Sequence, residues 1–432
     1  MTGLEQNPYL LPLQPSLNSS IQQSVEDDYH RFSADGLPAN LDAFLLEEYG
    51  LNLKTKYGPF EINNPWGKAS GQLSMTAQQV SEDVEAGLGF VVLKTVIAED
   101  ALGDQSMEAW AIKEARMLAE RIVGTSGEAG WTVSWKGRGW WQSFEAYLQL
   151  IREAQEIARD SGTLIVPSCK YHLPTPEEDF WKESEYEYTT KQILAAWQEH
   201  APASNSNRMP LEKDFSPTLA GSDRATAQRK ILEWMQTVPR LIRAAVGSAS
   251  AENCPVVVGM KMFNALFDDD FQLQMLNTLH EPGPNRPDFF IYGNRLFDPN
   301  REFDGKQGIA YGGPDLSERN LNVMSQFQQR KIENPLAWSA TGNIASGKMA
   351  MEYALRGASS FQVHTYFQLP AAEYSMHVGS KVQKALRELY FHPTTGLIVW
   401  MHHVATELGL PTQQINLTDL IGQGPKFSLR RK

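Results

Sequence analysis

From Phe60 onward the chain alternates short apolar runs with longer stretches in which apolar residues recur every three or four positions. The runs are GFVVLKTV (89–96), TLIVPS (163–168), MPLEKDFS (209–216), CPVVVGMKM (254–262), DFFIYGN (288–294), LAWSATGN (336–343) and SFQVHTY (360–366). KASG (68–71) supplies the first of the series. Runs this short read as strands, and the stretches between them read as helices that lay one face on a sheet. Those helices are predicted at 77–86, 143–159, 188–200, 225–245, 271–279, 316–329 and 347–356, with one more near 382–390. Eight strands separated by helices fit a closed (β/α)8 TIM barrel, an α/β fold, better than an open sheet. Residues 1–57 are rich in Pro, Asn and Ser with one helical stretch near 41–49, and read as an extension that wraps the body. The barrel then occupies 58–425, and 426–432 is a short basic tail, most simply a frayed terminus. Long βα-loop insertions follow the second strand (98–130), the third (172–186) and the sixth (299–312), where lids and binding loops are usual.

Composition narrows the partners. Hydrophobic residues make up 42% of 432 residues and charged ones 21%, enough for a large core. A net charge of -12 speaks against nucleic acid as the main partner. Two cysteines, Cys169 and Cys254, exclude an in-chain iron–sulfur cluster, a Cys-rich zinc site and a disulfide framework, so no metal is expected. A reducing cytoplasm is the simplest compartment. No apolar run is long enough to span a membrane, and no basic patch precedes an apolar core to make a secretory signal.

Barrel chemistry gathers where strands end, so the loops after LKTV, FSPT, YGN, ATGN and VHTY are the candidates. The clearest segment is ATGNIASGKMAMEYALRGASSFQVHTYF (340–367). One strand ends at Gly342-Asn343, a helix starts at Ser346-Gly347, and a second strand leads to His364-Thr365. Two adjacent loops would then aim backbone N–H groups at one point, a nest for phosphate. Two ordinary turns that use glycine for geometry remain the plain alternative.

This segment resembles the phosphate-binding end of the dihydroorotate dehydrogenase family, which are FMN-binding barrels. NNPWGKASG (63–71) is similar to that family's opening, GLGFVVLKTV (87–96) to its second strand and VVVGMKMFNALFDDD (256–270) to its fifth. YGGPDLS (311–317) resembles the Gly-Gly loop after the sixth strand, and LGLPTQQINLTDLIG (408–422) the closing segment. The resemblance runs in order from about Phe60 to Gly422. It implies FMN, with Lys94 and Lys261 near the flavin's pyrimidine ring and Ala69, Ser70 and Gly71 against the ring system. Gly312 and Gly313 would lie beside the ribityl chain, and Gly342, Asn343 and Thr365 would hold the phosphate. Read without the family, each lysine could instead snorkel out of the barrel rim.

The family's base is a Cys or Ser before a proline, on the loop after the fourth strand. Ser216 in LEKDFSPTLAGSD fits that place; Cys169 in VPSCKYH competes as a thiol, but strand counting puts it one unit early. The family fixes its pyrimidine with asparagines, and the matching places hold Ser134, Lys213, Thr218 and Asn294, of which only Asn294 keeps the amide. Asn294, Thr218 and Ser134 are the expected substrate contacts. In WKGRGWW (135–141), three tryptophans beside Lys136 and Arg138 suit either a planar anion or a loop packed on the rim.

The function so implied is oxidoreduction at a CH–CH bond, with hydride passing between FMN and a small dihydropyrimidine-like or enoate-like substrate, as in pyrimidine metabolism. No Gly-x-Gly-x-x-Gly follows a strand, so electrons would leave to a separate acceptor, a quinone or a small molecule. The oligomeric state is left open, a homodimer included. Two other classes stand beside this one: a flavin-binding barrel without catalysis that serves as an interaction or sensor protein, and a flavin-free barrel that holds a phosphorylated metabolite through Gly342 and Thr365.

Overall fold

The computed structural model describes residues 8–111, 113, 118–134, 139–200, 208–215, 227–265, 267–303 and 306–430. Ten parallel strands form one curled sheet. In chain order they are β1 (Trp66–Lys68), β2 (Phe90–Val92), β3 (Val96–Ile97), β4 (Leu164–Val166) and β5 (Ser168–Lys170). They continue as β6 (Met209–Phe215), β7 (Val256–Phe263), β8 (Phe289–Asn294), β9 (Ala337–Thr341) and β10 (Ala358–Val363). The order across the sheet is β3-β5-β6-β7-β8-β9-β10-β1-β2-β4. Pro167 separates β4 from β5, because it has no N–H to give to a ladder. Helices pack on the convex side, so every residue of β7 is buried, as expected of a parallel strand covered on both faces.

A second apolar cluster fills the concave side at the N-terminal end of the strands. It joins Phe90, Val92, Leu164, Val166, Val257, Phe289 and Ile291 to Tyr57 and Ile62. The last two belong to a hairpin, Thr55–Tyr57 with Phe60–Ile62, which plugs that end. Gly67 and Gly259 make the filling feasible: a Cβ at either would run into the ring of Phe90 or Phe289. The plug straddles residue 57, so the extension contributes to the interior and does not only wrap it. With one end sealed, ligand space is left at the other.

The predicted helices lie within a few residues of their places, for example Gln228–Ala245, Pro314–Gln328 and Gly347–Leu355. Two of the longer helices escaped the pattern for opposite reasons. Ser19–Asp35 buries only Val25 and Phe32, seven positions apart, so its apolar stripe is too thin to read. Leu397–Leu408 is buried nearly all round and has no polar face to set a period. The first strand is Trp66–Lys68 and not 68–71, because Ala69–Gly71 leave the sheet to line a cavity. The insertions after β3 and β8 carry antiparallel hairpins, Leu118–Val123 with Ala129–Ser134 and Leu296–Phe303 with Lys306–Tyr311. The tail is not frayed at its start: Gly424–Arg430 is helical and Phe427 is buried. Among the described residues no helix is long and apolar enough to cross a membrane.

Candidate functional site

Where the strands finish, a cavity opens between the loops. One wall is mostly backbone. Gly342 follows β9 with φ +101°, and a Cβ there would come within 2.8 Å of Asn320 Nδ2 and 2.9 Å of the Gly293 carbonyl. Only glycine fits at no cost. Tyr353 donates to the Gly342 carbonyl at 2.9 Å, and Asn343 donates to Ser317 Oγ at 2.9 Å, so the turn is fixed from behind. The helix Gly347–Leu355 starts at the far side of this turn, with Ser346 capping Met349 N–H. Thr365 and Tyr366 line the cavity beside it. Gly312 donates its N–H to Thr132 Oγ1 at 2.9 Å, which binds the inserted hairpin to the Gly-Gly loop.

The opposite wall carries charge. Lys94 is 3% exposed and donates to Gln72 Oε1 at 2.9 Å. Burial, then the Arg295 guanidinium, draws its amine down to about 7, with Asp214 opposing. Lys261, 5% exposed, lies 2.9 Å from Glu212 Oε1 and 3.2 Å from Gln362 Oε1. Asp214, at the end of β6, lies 2.9 Å from Lys170 Nζ. Burial pushes its carboxyl up, but Lys170 and then Lys213 outweigh that and hold it below the usual range. His364 follows β10 with both ring nitrogens buried and, among the described residues, without a hydrogen-bond partner. Burial, then Arg295, Lys94, Lys68 and Lys261, hold this imidazole well below its ordinary range, so it is neutral. Its ring fills the space that a side chain on Gly71 would need.

The cavity brings together Ala69, Ser70, Gly71, Lys94 and Lys261, then Gly312, Gly313, Gly342, Asn343 and Thr365, and also Asn294. Neither lysine snorkels out of the rim. Ser216 and Thr218 lie outside the described residues, as does the side chain of Ser134. Lys213, matched by the resemblance to a substrate asparagine, is fully buried with Nζ on the Asp214 carbonyl at 2.8 Å, and it is not among the residues that line the cavity. Side chains alternate along a strand, so Glu212 and Asp214 face inward and Lys213 faces outward. Cys169 pairs with Val96 and Lys213 on β5, the continuation of the third strand, and burial pushes its thiol up. It is a buried hydrophobe, not a reactive thiol. Of the tryptophan-rich loop, residues 135–138 lie outside the described residues. Trp140 is buried against Tyr147, and Trp141 is partly exposed with Lys113 Nζ 4.5 Å from its ring. Asp214, Arg295, His364, Gln72, Glu212 and Gln362 were missed. Two-residue alternation along 209–215 would have flagged Glu212 and Asp214; Arg295 adjoins Asn294 and carried no separate signal.

Among the described residues no three His, Cys, Asp or Glu side chains converge as a metal set. No protein-family model matches the chain, and no curated protein matches it.

Proposed function

We propose that the chain is an FMN-dependent oxidoreductase on a closed (β/α)8 barrel, acting at a CH–CH bond of a small dihydropyrimidine-like or enoate-like substrate. The closure is supported by the sheet order: its two end strands, β3 and β4, are the continuations of β2 and β5, so the ten strands make eight staves. The observation that carries the function is convergence. Residues up to 296 positions apart, from Ala69 to Thr365, which the family resemblance assigns to a flavin, line one cavity at the open end.

The residues fit the group. Glycine turns give a phosphate close access to backbone on one wall, and Lys94 and Lys261 offer cations on the other. His364 has ring nitrogens that a bound molecule would satisfy. FMN is favoured over FAD because the inserted hairpin covers the phosphate end. A Cβ on Gly130 would come 2.8 Å from Pro314 and 3.7 Å from Asn343 Oδ1, and one on Gly313 would come 2.7 Å from Ile122. An adenylate would have to displace that hairpin.

Bound FMN would supply the hydride acceptor or donor. Lys94 and Lys261 would hold its pyrimidine edge, and the turn at Gly342-Asn343 with Thr365 would hold its phosphate. Ser216 would take the substrate proton, with a neighbour or water to accept it in turn. A flavin barrel without catalysis is the second reading, favoured by Lys213, which turns away from the substrate place it aligns with. The test is the visible spectrum of the purified protein, then rapid-mixing reduction with dihydropyrimidines and small enoates. Flavin bands, FMN on release, and reduction slowed on the order of a hundredfold by Ser216→Ala are expected. Colourless protein that takes up no added FMN rejects the flavin. Yellow protein that no such substrate reduces favours the second reading.

A further inference from the structure

Beneath the cavity floor lies a closed network. Glu212 is fully buried on β6. Its Oε1 accepts from Lys261 Nζ at 2.9 Å, and its Oε2 accepts from Gln362 Nε2 at 2.6 Å and from Tyr57 OH at 3.1 Å. Gln362 turns its own Oε1 to Lys261 at 3.2 Å. Four separate parts of the chain thus meet on one carboxylate: β6, β7, β10 and the hairpin that plugs the sealed end. Such a pair is held in one geometry only because the remaining lone pairs and protons are also satisfied. Register alone would have matched Lys261 differently. Its direct neighbour on β6 is Asp214, yet that carboxylate lies 2.9 Å from Lys170. The side chain of Lys261 therefore reaches down to Glu212.

We infer that Glu212 is a positioning residue that pins the Lys261 ammonium and neutralises its charge, so that Glu212 sets the reduction potential of the flavin bound above. This rests on the flavin reading. A cation below the flavin's pyrimidine edge favours the anionic reduced ring. A carboxylate 2.9 Å behind that cation cancels much of the effect. Tyr57 acts through Glu212 by holding its second oxygen; Gln362 holds that oxygen too and also accepts from Lys261 directly.

The experiment is a spectroelectrochemical titration of FMN bound to the wild type, to Glu212→Gln, to Lys261→Met and to the double variant. Glu212→Gln keeps the shape and leaves the cation uncompensated. Its reduced flavin should be held about tenfold more tightly relative to the oxidised form, a rise of about 30 mV for the two-electron couple. Lys261→Met leaves the carboxylate uncompensated, and the potential should fall. The double variant has neither charge and should return near the wild type, a cancellation that a purely structural role would not produce. Should Lys261→Met fail to fold, Glu212→Gln and the double variant carry the same sign test, the double lying lower. Melting of the apoproteins gives a second readout: the single variants fall and the double recovers. A yellow Glu212→Gln protein at the wild-type potential overturns this inference alone. Wild-type protein that takes up no FMN overturns the flavin reading and the inference with it.

Discussion

Two buried lysines line the same cavity and are held in opposite ways. The Lys261 ammonium lies 2.9 Å from a carboxylate whose other oxygen is occupied by Gln362 and Tyr57. The Lys94 amine donates to the amide of Gln72 at 2.9 Å, a bond that brings no charge, and burial with Arg295 draws it down to about 7. A carboxylate in contact balances the charge of Lys261. An amide in contact leaves the other to follow pH and any anion the cavity receives. One wall of the pocket thus holds one lysine paired with a carboxylate and one whose amine burial draws down to about 7 and so responds to pH.

The largest effect that would break this contrast is on stability. Lys261→Met should cost about 3–5 kcal/mol, because it strands a buried carboxylate. Lys94→Met removes an amine already disfavoured as a cation and should cost about 1 kcal/mol or less. Urea unfolding at neutral pH reads both. Equal losses would mean that the two lysines are held alike.

The contrast also separates what was legible in the chain from what was not. The backbone wall was readable, since Gly312-Gly313 and Gly342-Asn343 stand at loop positions where glycine has a specific use. Both lysines were readable as strand-end cations. Their partners were not, because pairing depends on which residues of distant strands share a layer. Glu212 meets Gln362 and Tyr57 across 150 and 155 residues. Local period carries no such information. The places of the strands and of most helices followed from periodicity; Ser19–Asp35 and Leu397–Leu408 failed it, one too polar and the other too apolar. Ser216 and Thr218 lie outside the described residues, so the roles proposed for them come from the sequence.

A middle-sized effect concerns pH. Lys94 has a folded value of about 7, below its ordinary 10.5. Between those values the unfolded chain binds more protons than the folded one, so stability rises with pH. Lys213, also drawn down to about 7 by burial and then Lys170, adds a slope of the same sign. The test is therefore a difference between proteins. From pH 7.5 to 9.5 the wild type should gain more stability than Lys94→Met does, measured by urea midpoints at each pH. Parallel curves would show that Lys94 carries its charge throughout and would remove the responsive cation from the comparison.

The smallest effect at neutral pH comes from exchanging the Gln72 amide at Lys94 for a carboxylate. Gln72→Glu sets a carboxylate where the amide oxygen now accepts the Lys94 bond. Gln72 is only half-buried, so the new pair is worth about 1 kcal/mol or less at pH 7. Its consequence lies in the slope. A carboxylate in contact favours the ammonium and should raise the Lys94 value back toward 10.5. The unfolded chain then holds little excess proton between pH 7.5 and 9.5, and this group's gain in stability with pH shrinks as it does in Lys94→Met. The two variants reach that result from opposite charge states, one with no amine and one with a permanent cation. Wild-type steepness in Gln72→Glu would show that burial and Arg295 outweigh any single partner at Lys94. Lys261 would then keep its partner for reasons of position more than of charge.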